Sequence, residues 1–508
     1  MELGELLRAS GVAAELRGDA SVEIGDLAYD SGRVGPGTLF FCFAGERTDG
    51  HDFAAGAVEA GAAALIVERP LDLDVPQAQV EDARAAMAPI AAIFNGDPTS
   101  ELTVVGITGT NGKTTTAFLV RHLLEAAGRR CGLLGTVRQV VGGRIEEVER
   151  TTPEAIDLQR TFERMLEAGD DACAMEVSSH ALVLHRADAI HLAVKVFTNL
   201  SQDHLDFHAD MEDYFAAKRL LFSGEGGAPL IELEGGISVI NLDDGYGQRL
   251  AAELSCGSGG ECITYSAAGG AADLSARGVT FDASGSRFIC LSPDGQLDVQ
   301  TPLPGDFNVA NALAALSVAH ALGLDLGDSA AALASADQVP GRFESIDEGQ
   351  PFAVIVDYAH TPDSLENVLE AARRLTGRRL ISVFGCGGDR DRDKRPQMGR
   401  AGAELSDVAV VTSDNPRSED PAAIIEQIRA GIPENRHAEV VVERDRRAAI
   451  ALAVAQAGDG DTVVIAGKGH EQGQEFENGR KIPFDDRDVA REELRRLRRT
   501  IASSRAPR

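Results

Sequence analysis

The stretch GITGTNGKTTT, which runs from Gly106 to Thr116, decides the fold of the central part of the chain. It is close to the phosphate-binding pattern G-x-x-x-x-G-K-[ST]. The first glycine of that pattern falls at position 107, which is Ile107, while glycines stand at 106 and 109 instead. The backbone of this loop is therefore expected to differ from that of the usual phosphate-binding loop. The flanking sequence indicates whether it can still bind a phosphate.

Strand and helix patterns flank this loop on its two sides. LTVVGIT (102–108) is an apolar, β-branched run, and TTTAFLVRHLLEAAG (114–128) predicts a helix that ends at a glycine. The N–H groups of such a turn and the helix N-terminus attract phosphate oxygens. Lys113 adds a positive charge, and the hydroxyl of Thr114 or Thr115 can reach Mg²⁺. The sequence therefore predicts a nucleotide-phosphate site.

The bulk composition limits the class of protein. At 508 residues the chain is long enough for about three domains. Its 49 basic and 80 acidic side chains give a net charge of −31, which disfavours a nucleic-acid partner. No signal-like or membrane-spanning apolar run is found, so we expect a cytoplasmic protein without membrane insertion. The seven scattered cysteines are then expected to be reduced thiols.

A parallel β-sheet is predicted for the last third of the chain. Apolar, β-branched runs alternate there with helical patterns, and they cover 352–358, 380–385, 408–413, 439–443 and 462–467. Such alternation is typical of a parallel sheet, which gathers ligands beyond the carboxyl ends of its strands. The turns DYAHTPDS, GCGGDRDRDKRP, SDNPRSEDP and GKGHE follow four of these runs and are rich in polar side chains. We therefore predict a second ligand site at this edge.

Polar side chains near two central strand patterns predict a metal site. Glu176 ends an apolar run, and a buried carboxylate needs a cation partner. His204 follows the next strand pattern and is a candidate metal ligand, whereas His208 is more typical of a structural histidine. Lys218 lies in an apolar helical stretch, where a lysine is either half of an ion pair or chemically modified.

Motifs distributed over nearly the whole chain resemble those of the Mur ligases. In order they are GTNGKTT, EVSSHAL, TNLSQDHLDFH, GDFNVANALAA, GRFE, DYAHTPDSL and GKGHE, and SDNPRSEDP is similar to the branch that adds the third residue of the peptide. The resemblance implies an α/β fold of three domains. These are an N-terminal UDP-substrate domain (1–98), a central P-loop-type parallel-sheet ATPase domain (99–338) and a C-terminal Rossmann-like amino-acid domain (339–508).

The resemblance also implies an activity. It is that of an ATP-dependent amide ligase, which adds meso-diaminopimelate to the D-glutamate of UDP-N-acetylmuramoyl-L-alanyl-D-glutamate through an acyl phosphate. The reaction belongs to cytoplasmic peptidoglycan precursor synthesis, and it implies ATP, Mg²⁺ and a CO₂-derived carbamate on Lys218. The expected partners are these small molecules, and a monomer is expected.

The site residues that the resemblance implies fall into five groups. The catalytic group is Lys113, Lys218, His204 and Arg342. The ATP-binding group is Gly109, Thr110, Asn111, Gly112, Lys113, Thr114, Thr115, Asn308, Asn311, Arg342 and Asp357. The group for UDP-muramoyl-dipeptide is Ser31, Glu46, Arg47, Thr48, Thr151, Thr152, Ser178 and Arg186. The metal group is Thr114, Glu176, His204 and carbamylated Lys218. The diaminopimelate group is Arg390, Asp414, Asn415, Pro416, Arg417, Gly467 and Glu471.

The last group agrees with the charges of its expected substrate. Diaminopimelate carries a second carboxylate that lysine lacks. Arg417 can hold this carboxylate with a bidentate fork, and Arg390 is a second candidate. Glu471 and Asp414 are candidates for binding the distal ammonium.

Two other functions stay open at this point. A related ligase could use another amine, as a lysine-adding homologue or a folylpolyglutamate synthetase does. A P-loop NTPase switch would hydrolyse its nucleotide to regulate a partner and would release phosphate without any amine. Such a switch has no need of the D-N-P-R turn, which favours the ligase.

Overall fold

The computed structural model describes residues 1–45, 48–148, 150–223, 236–256, 262–435 and 437–505, with the backbone alone for 500–505. Three domains, each built on a main sheet, follow one another along these residues, and the predicted α/β class is confirmed. Residues 80–102 and 302–343 connect the main sheets, and the domain boundaries after residues 98 and 338 stay predictions. None of the described helices is long and apolar enough to cross a bilayer.

The N-terminal domain has a small, mostly parallel sheet. Its strands are β1 Glu15–Arg17, β2 Asp26–Ala28, β3 Thr38–Phe41, β4 Ala62–Val67 and β5 Gln77–Gln79, in the order β1–β5–β4–β3–β2. Its helices are α1 Leu3–Ser10, α2 Ala54–Glu59 and α3 Ala83–Phe94, with 3₁₀ turns at Ser31–Arg33, Gly50–Phe53 and Pro98–Ser100. Apolar side chains of α1 and α3 pack in one core with Ala155 and Ile156 of the central domain, so the two domains are joined by apolar contact.

The central domain carries the longest sheet. Its strands are β6 Thr103–Thr108, β7 Cys131–Leu134, β8 Gln139–Val141, β9 Arg144–Glu146, β10 Ala172–Glu176, β11 Leu192–Phe197, β12 Ile237–Asn241, β13 Cys262–Ser266, β14 Leu274–Asp282, β15 Gly285–Ser292 and β16 Gly295–Thr301. Its helices are α4 Lys113–Ala126, α5 Ala155–Glu167, α6 Ser179–Val183, α7 Met211–Ser223, α8 Gly245–Glu253, α9 Asp306–Ala321 and α10 Leu326–Leu333.

The strand order of this sheet places the phosphate loop at its centre. The order is β16–β15–β14–β13–β12–β11–β6–β10–β7–β8–β9, parallel from β14 to β7 and antiparallel at both ends. Strand β6, which enters the phosphate loop, therefore lies between β11 and β10. The carboxyl ends of these three strands meet at one edge, where Glu176 ends β10 and His204 follows β11.

The C-terminal domain has the predicted parallel sheet. Its strands are β17 Glu344–Ser345, β18 Ala353–Asp357, β19 Leu380–Phe384, β20 Val408–Val411, β21 Glu439–Val442 and β22 Thr462–Ala466, in the order β17–β18–β22–β19–β20–β21, with a hairpin of β23 Gly473–Glu475 and β24 Lys481–Pro483 beside it. Its helices are α11 Pro362–Leu375, α12 Lys394–Leu405, α13 Pro421–Arg429, α14 Arg446–Gln456 and α15 Asp486–Arg505, with a 3₁₀ turn at Glu477–Gly479. Apolar clusters pack against both faces of the main sheet, which explains the continuous apolar strands.

Sequence signals for helix ends are confirmed at two helices that reach the site. Thr361 caps α11, since its hydroxyl accepts a hydrogen bond from the Ser364 N–H at 3.2 Å, and Pro362 is the first helical residue. Helix α4 spans Lys113–Ala126 and is followed by Gly128. The φ of Gly128 is +82°, which residues other than glycine rarely adopt.

The cysteines depart from the prediction at one place. Cys256 and Cys262 form a disulfide across residues 257–261, which are outside the described ranges. The other five cysteines, Cys42, Cys131, Cys173, Cys290 and Cys386, are free and buried. The prediction of reduced thiols was therefore wrong for the pair, because the scatter of cysteines along the sequence did not show that the fold places these two Cα atoms 5.2 Å apart.

A fully buried ion pair joins α14 to the start of α15. Arg446 donates to Asp486 through Nε at 2.8 Å and Nη2 at 2.6 Å, and both side chains are inaccessible to solvent. Removing one partner leaves the other charge buried and uncompensated. We expect Asp486→Ala to lower the free energy of unfolding by about 3–5 kcal/mol, measured by urea unfolding followed by circular dichroism.

Asp488 on the same helix provides the matched control. Its side chain is 70% exposed, and its contact with Arg491 is 3.4 Å long. Asp488→Ala should leave the unfolding midpoint almost unchanged. An equally small change in Asp486→Ala would contradict the importance of the buried pair.

Candidate active site

Two glycines of the phosphate loop occupy positions that a side chain could not. Gly109 has a φ of +144° and Gly112 a φ of +87°. A Cβ on Gly109 would lie 1.9 Å from Thr198 Oγ1, and one on Gly112 would lie 2.5 Å from Asn311 Oδ1. Gly106 belongs to β6 instead, so the glycine that shapes the loop is the one at 109.

Lys113 lies at the start of α4, and its ammonium is held inside the loop. Its Nζ donates to the carbonyl oxygens of Gly109 and Thr110, both at 2.8 Å. Burial lowers the pKa of Lys113, while the charges of Glu176 and Asp203 oppose that shift. Backbone carbonyls therefore replace the water molecules that the ammonium group loses on burial. The group lies at the helix N-terminus, where a bound anion is favoured.

Glu176 ends β10 and turns its buried carboxylate to the same place. It accepts hydrogen bonds from Thr114 Oγ1 at 3.0 Å, the Thr136 N–H at 2.7 Å and Thr136 Oγ1 at 3.1 Å. Within the described part of the chain, no lysine or arginine comes within ion-pair distance of Glu176. Hydroxyl and backbone donors satisfy this carboxylate, and a cation partner for Glu176 stays a prediction.

These donors fit a magnesium ion that arrives with a nucleotide. The described residues contain no cluster of three or more His, Cys, Asp or Glu side chains suited to a metal. Magnesium is usually held by one or two carboxylates together with phosphate oxygens, so a complete protein cage is not required. The Thr114 hydroxyl and the Glu176 carboxylate, 3.0 Å apart, supply oxygen donors of this kind.

His204 follows β11 and lies partly exposed beside the buried acid Asp203. Its Nε2 lies 3.4 Å from Asp203 Oδ2, and its ring lies edge-on to that of His180 with centroids 4.9 Å apart. Burial lowers the pKa of His204 to about 3, so the imidazole is neutral and keeps a lone pair for a metal. His208 contacts Ser179 and Asp213 instead and is buried, as expected for a structural histidine.

Lys218 lies on α7 and is buried directly below the phosphate loop. Its Nζ donates to the carbonyl oxygen of Gly109 at 2.9 Å and lies 4.5 Å from the centre of the Tyr214 ring. Burial holds the pKa of Lys218 well below its usual value, and the nearby charge of Lys113 adds to this shift. No carboxylate pairs with Lys218 among the described residues, which disfavours the ion-pair alternative.

The central and C-terminal domains enclose one cavity of about 440 Å³. The phosphate loop, Glu176 and His204 line one side, and the segment that follows β18, including His360 and Asp363, lines the other. Asp363 Oδ2 accepts hydrogen bonds from Asn111 Nδ2 at 2.8 Å and from Ser201 Oγ at 2.9 Å. A ligand in this cavity therefore contacts both domains.

Arg342 enters this cavity from the segment between the two domains. Its Nη2 donates to Thr114 Oγ1 at 3.1 Å, and its guanidinium lies 4.3 Å from the centre of the Tyr358 ring. Its Nε is buried and has no hydrogen-bond partner in the described ranges. Asp357 also lines the cavity and holds this segment, because its carboxylate accepts from the Phe343 N–H at 2.6 Å.

The remaining ATP-side residues lie on α9. Asn311 lines the cavity, and its Nδ2 donates to Asn308 Oδ1 at 3.1 Å. Asn308 donates in turn to the carbonyl oxygen of Pro304 at 2.8 Å and is not part of the cavity lining. In this structure Asn308 supports Asn311 and the start of the helix.

The residues predicted for UDP-muramoyl-dipeptide are divided between two domains. Thr151 and Ser178 line the cavity. Thr152 donates to the carbonyl oxygen of Glu176 at 3.0 Å, and Arg186 forms an ion pair with Glu154 at 2.9 Å. The N-terminal domain supplies Ser31 and Thr48, which are outside the cavity lining, while Glu46 and Arg47 lie outside the described residues.

The residues predicted for diaminopimelate form a second cluster at the carboxyl edge of the C-terminal sheet. Asn415 donates to Glu471 Oε2 at 2.9 Å, and the buried Lys468 donates to both side chains. Lys468 and Arg446 hold the pKa of Asp414 below its usual value although burial opposes them. Both acids therefore face internal cations, and Glu471, whose side chain is 31% exposed against 10% for Asp414, is the more accessible candidate for a substrate ammonium.

Arg417 and Arg390 flank Gly387 in this cluster. A Cβ on Gly387 would lie 3.0 Å from Arg417 Nη1 and 3.8 Å from Arg390 Cγ. Pro416 closes the turn, since its carbonyl oxygen would lie 1.9 Å from a Cβ on Gly388. Gly467 is similarly constrained, with a φ of +125° and Asp414 Oδ2 2.5 Å from the position of its absent Cβ.

The loop 467–471 lies between the cavity and the second cluster. Its residue His470 packs against Tyr358 of the cavity with ring centroids 5.2 Å apart, and Glu471 belongs to the cluster. His470 N lies 2.2 Å from the position of a Cβ on Gly341, so the loop bearing Arg342 packs directly on this loop. The phosphate site and the arginine-rich cluster are therefore neighbours.

Family models match most of the chain. Residues 23–95 match "Mur ligase family, catalytic domain", residues 107–319 match "Mur ligase middle domain", and residues 341–469 match "Mur ligase, glutamate ligase domain". The chain belongs to the Mur ligase family. The predicted family is thereby confirmed, and the three matched segments follow the order of the three domains.

Individual relatives of this Mur ligase cover it almost completely. A protein of Solibacter usitatus named UDP-N-acetylmuramoyl-L-alanyl-D-glutamate–2,6-diaminopimelate ligase is 47% identical over 97% of this chain and 98% of its own length. A protein of the same name from Streptomyces coelicolor is 48% identical over 97% of this chain and 96% of its own length. A solved structure of a ligase of that name is 32% identical, with a TM-score of 0.68 over 98% of this chain and 99% of that one.

Several residues that shape the site in this Mur ligase were missed by sequence reasoning. Thr136 binds Glu176, and Asp363 bridges the two domains. Lys468 and Asp363 stand within motifs that the sequence analysis quoted, so a signal was present. Arg446 and Glu475 carry no local signal, because their roles depend on contacts with residues distant in the sequence.

Proposed function

We propose that this Mur ligase joins meso-diaminopimelate to the D-glutamate of UDP-N-acetylmuramoyl-L-alanyl-D-glutamate in cytoplasmic peptidoglycan precursor synthesis, with ATP as co-substrate. The observation that carries the proposal is the adjacency of the two sites. The phosphate loop and Arg342 lie on one side of the loop 467–471, and Asn415 and Arg417 lie on the other beside Glu471, which ends that loop. The names of the relatives that cover the chain support the same activity.

The first step is transfer of a phosphoryl group. The D-glutamate carboxylate attacks the γ-phosphorus of ATP, a P–O bond to ADP breaks, and an acyl phosphate forms. Lys113 at the start of α4 and Arg342, 3.1 Å from Thr114 Oγ1, offset the charge on the transferring group. Magnesium, when bound at Thr114 and Glu176, supplies further positive charge beside the phosphates.

The second step forms the amide. The amine of diaminopimelate attacks the acyl carbon, a tetrahedral intermediate collapses, and phosphate leaves. The second cluster orients this amine, with Arg417 assigned to the distal carboxylate and Glu471 to an ammonium. Most of the rate is expected from this positioning, because the acyl phosphate is already reactive.

We assign to Lys218 a carbamate modification of its side-chain amine. A neutral amine attacks CO₂ to give an N-carboxylate and a proton, and burial favours the neutral form of Lys218. The modification would turn a buried cation into an anion beside His204, since Lys218 and His204 both contact the Tyr214 ring. Two oxygen donors would then join the neutral imidazole as ligands for a second metal ion.

The test is ATP-dependent phosphate release with UDP-muramoyl-dipeptide and either diaminopimelate, L-lysine or no amine. We expect release with diaminopimelate and a kcat/KM for lysine that is about 10- to 150-fold lower, which corresponds to one missing charge-assisted hydrogen-bonded contact. In Arg417→Ala this preference should largely disappear. Equal use of lysine would favour the lysine-adding alternative, and release without any amine would favour the switch.

A further inference from the structure

Glu475 contacts the arginine that is assigned to the distal carboxylate. It ends β23 of the hairpin that follows the loop 467–471. Its Oε2 accepts a hydrogen bond from Arg417 Nε at 3.1 Å, and the two side chains are 32% and 22% exposed. Arg417 Nη1 donates at 2.7 Å to the carbonyl oxygen of Gly388 on the opposite side. The guanidinium is therefore held at two of its three nitrogens.

Hydrogen bonds of the backbone also join the segments that carry Arg417 and Glu475. The Arg417 N–H donates to the Glu475 carbonyl oxygen at 3.1 Å, and the Glu475 N–H donates to Asn415 Oδ1 at 2.9 Å. Arg417 also has a φ of +50°, an uncommon conformation for a residue with a side chain. The hairpin thus fixes both the backbone that carries Arg417 and the orientation of its side chain.

Glu475 differs in its surroundings from the other acids of the cluster. Glu471 is offset by Lys468 at 2.8 Å, and Asp414 lies between Lys468 and Arg446 at 3.8 and 4.0 Å. Glu475 instead has Arg417 as its ion-pair partner among the described residues. The negative charge of Glu475 therefore acts on the guanidinium of Arg417.

We propose that Glu475 is a positioning residue, which sets the guanidinium plane of Arg417 so that its remaining donors face the distal carboxylate of the incoming amino acid. Arginine has five N–H donors in a rigid plane. Glu475 and Gly388 use one donor each, and the remaining ones belong to Nη1 and Nη2. Because the guanidinium is planar, holding Nε and Nη1 fixes the direction of these free donors. The inference rests on the proposed function for the identity of the carboxylate.

The kinetic test compares Glu475→Ala with Glu475→Gln. The alanine variant should raise the KM for diaminopimelate about 10-fold, while kcat and the KM for ATP stay close to wild type. The glutamine variant keeps an oxygen that accepts the Nε–H bond and should restore most of the affinity. Glu477→Gln is the matched control, because Glu477 is exposed in the turn between β23 and β24.

A double-mutant comparison separates positioning from general damage. If Glu475 acts through Arg417, adding Glu475→Ala to Arg417→Ala should raise the KM for diaminopimelate no further. An unchanged KM in Glu475→Ala, or the same increase with and without Arg417, would overturn the proposal. Melting temperatures of all variants should match, since a general loss of stability would also lower kcat.

A readout without substrate keeps the proposal separate from the proposed function. The ¹H–¹⁵N resonance of Arg417 Nε, assigned by its loss in Arg417→Ala, should be protected from solvent exchange in wild type and Glu475→Gln. It should lose this protection in Glu475→Ala, and retained protection would overturn the proposal. If wild type does not consume diaminopimelate, the proposed function fails, while this spectrum still decides whether Glu475 holds Arg417.

Discussion

Lys113→Ala is expected to lower ATP-dependent phosphate release by about 1,000-fold or more. The ammonium is held at the helix start by the carbonyl oxygens of Gly109 and Thr110, in the place where the proposed function puts the phosphates of ATP. Alanine removes this charge and also removes the lysine donor of the Thr110 carbonyl, while the Gly109 carbonyl keeps Lys218. No other lysine of the described residues lies at this helix terminus to replace it, and Lys218 is buried with a lowered pKa.

Phosphate release in the presence of dipeptide and diaminopimelate measures this effect. Lys481→Ala is the control, since Lys481 is exposed on β24 and distant in sequence from the loop. Both variants should melt near the wild-type temperature. Undiminished phosphate release in Lys113→Ala would refute the assignment of the loop.

Lys218→Ala is expected to lose about 100- to 1,000-fold in activity, on the scale of other preorganised charges in active sites. A short carboxylic acid such as acetate or propionate should restore part of it, because it can place a carboxylate in the space that the side chain leaves. The reason is the burial of Lys218, which favours a neutral amine that reacts with CO₂. A carbamate would also explain why no carboxylate pairs with Lys218 among the described residues.

The rescue is measured as phosphate release over a series of acetate concentrations, with chloride at equal ionic strength as the salt control. Lys195 offers a matched variant, since it is also buried with a pKa lowered by burial but lies within β11 and, among the described residues, has no hydrogen bond to the phosphate loop. Lys195→Ala should show no rescue. A ¹³C NMR spectrum with labelled bicarbonate should show a carbamate in wild type and none in Lys218→Ala. Full activity of Lys218→Ala without added acid would count against the carbamate.

Local patterns predicted the elements that carry the site. The apolar runs of the last third became β18, β19, β20, β21 and β22, and Thr361 caps the helix after the first of them. The phosphate loop lies between β6 and α4 as its flanks indicated. These features depend on neighbours within a few residues, which is why the sequence is sufficient for them.

Contacts between distant residues were not predicted. The cation partner of Glu176 stays a prediction, while the hydrogen bonds of its carboxylate to Thr114 on α4 and to Thr136 after β7 had no local signal. Asp414 was expected to meet a substrate ammonium and faces Lys468 and Arg446. In both cases the surroundings of the acid depend on which loops the sheets bring together.

The sequence by itself determined the α/β class, the phosphate loop and the residue types of both sites, because periodicity, glycine positions and helix caps act locally. The tertiary structure decided which charges are paired and which are left for a ligand. Asp363 reaches Asn111 across 252 residues, and Glu475 reaches Arg417 across 58. Such contacts depend on parallel strands whose ends meet only after the sheet has formed, and no local pattern records them.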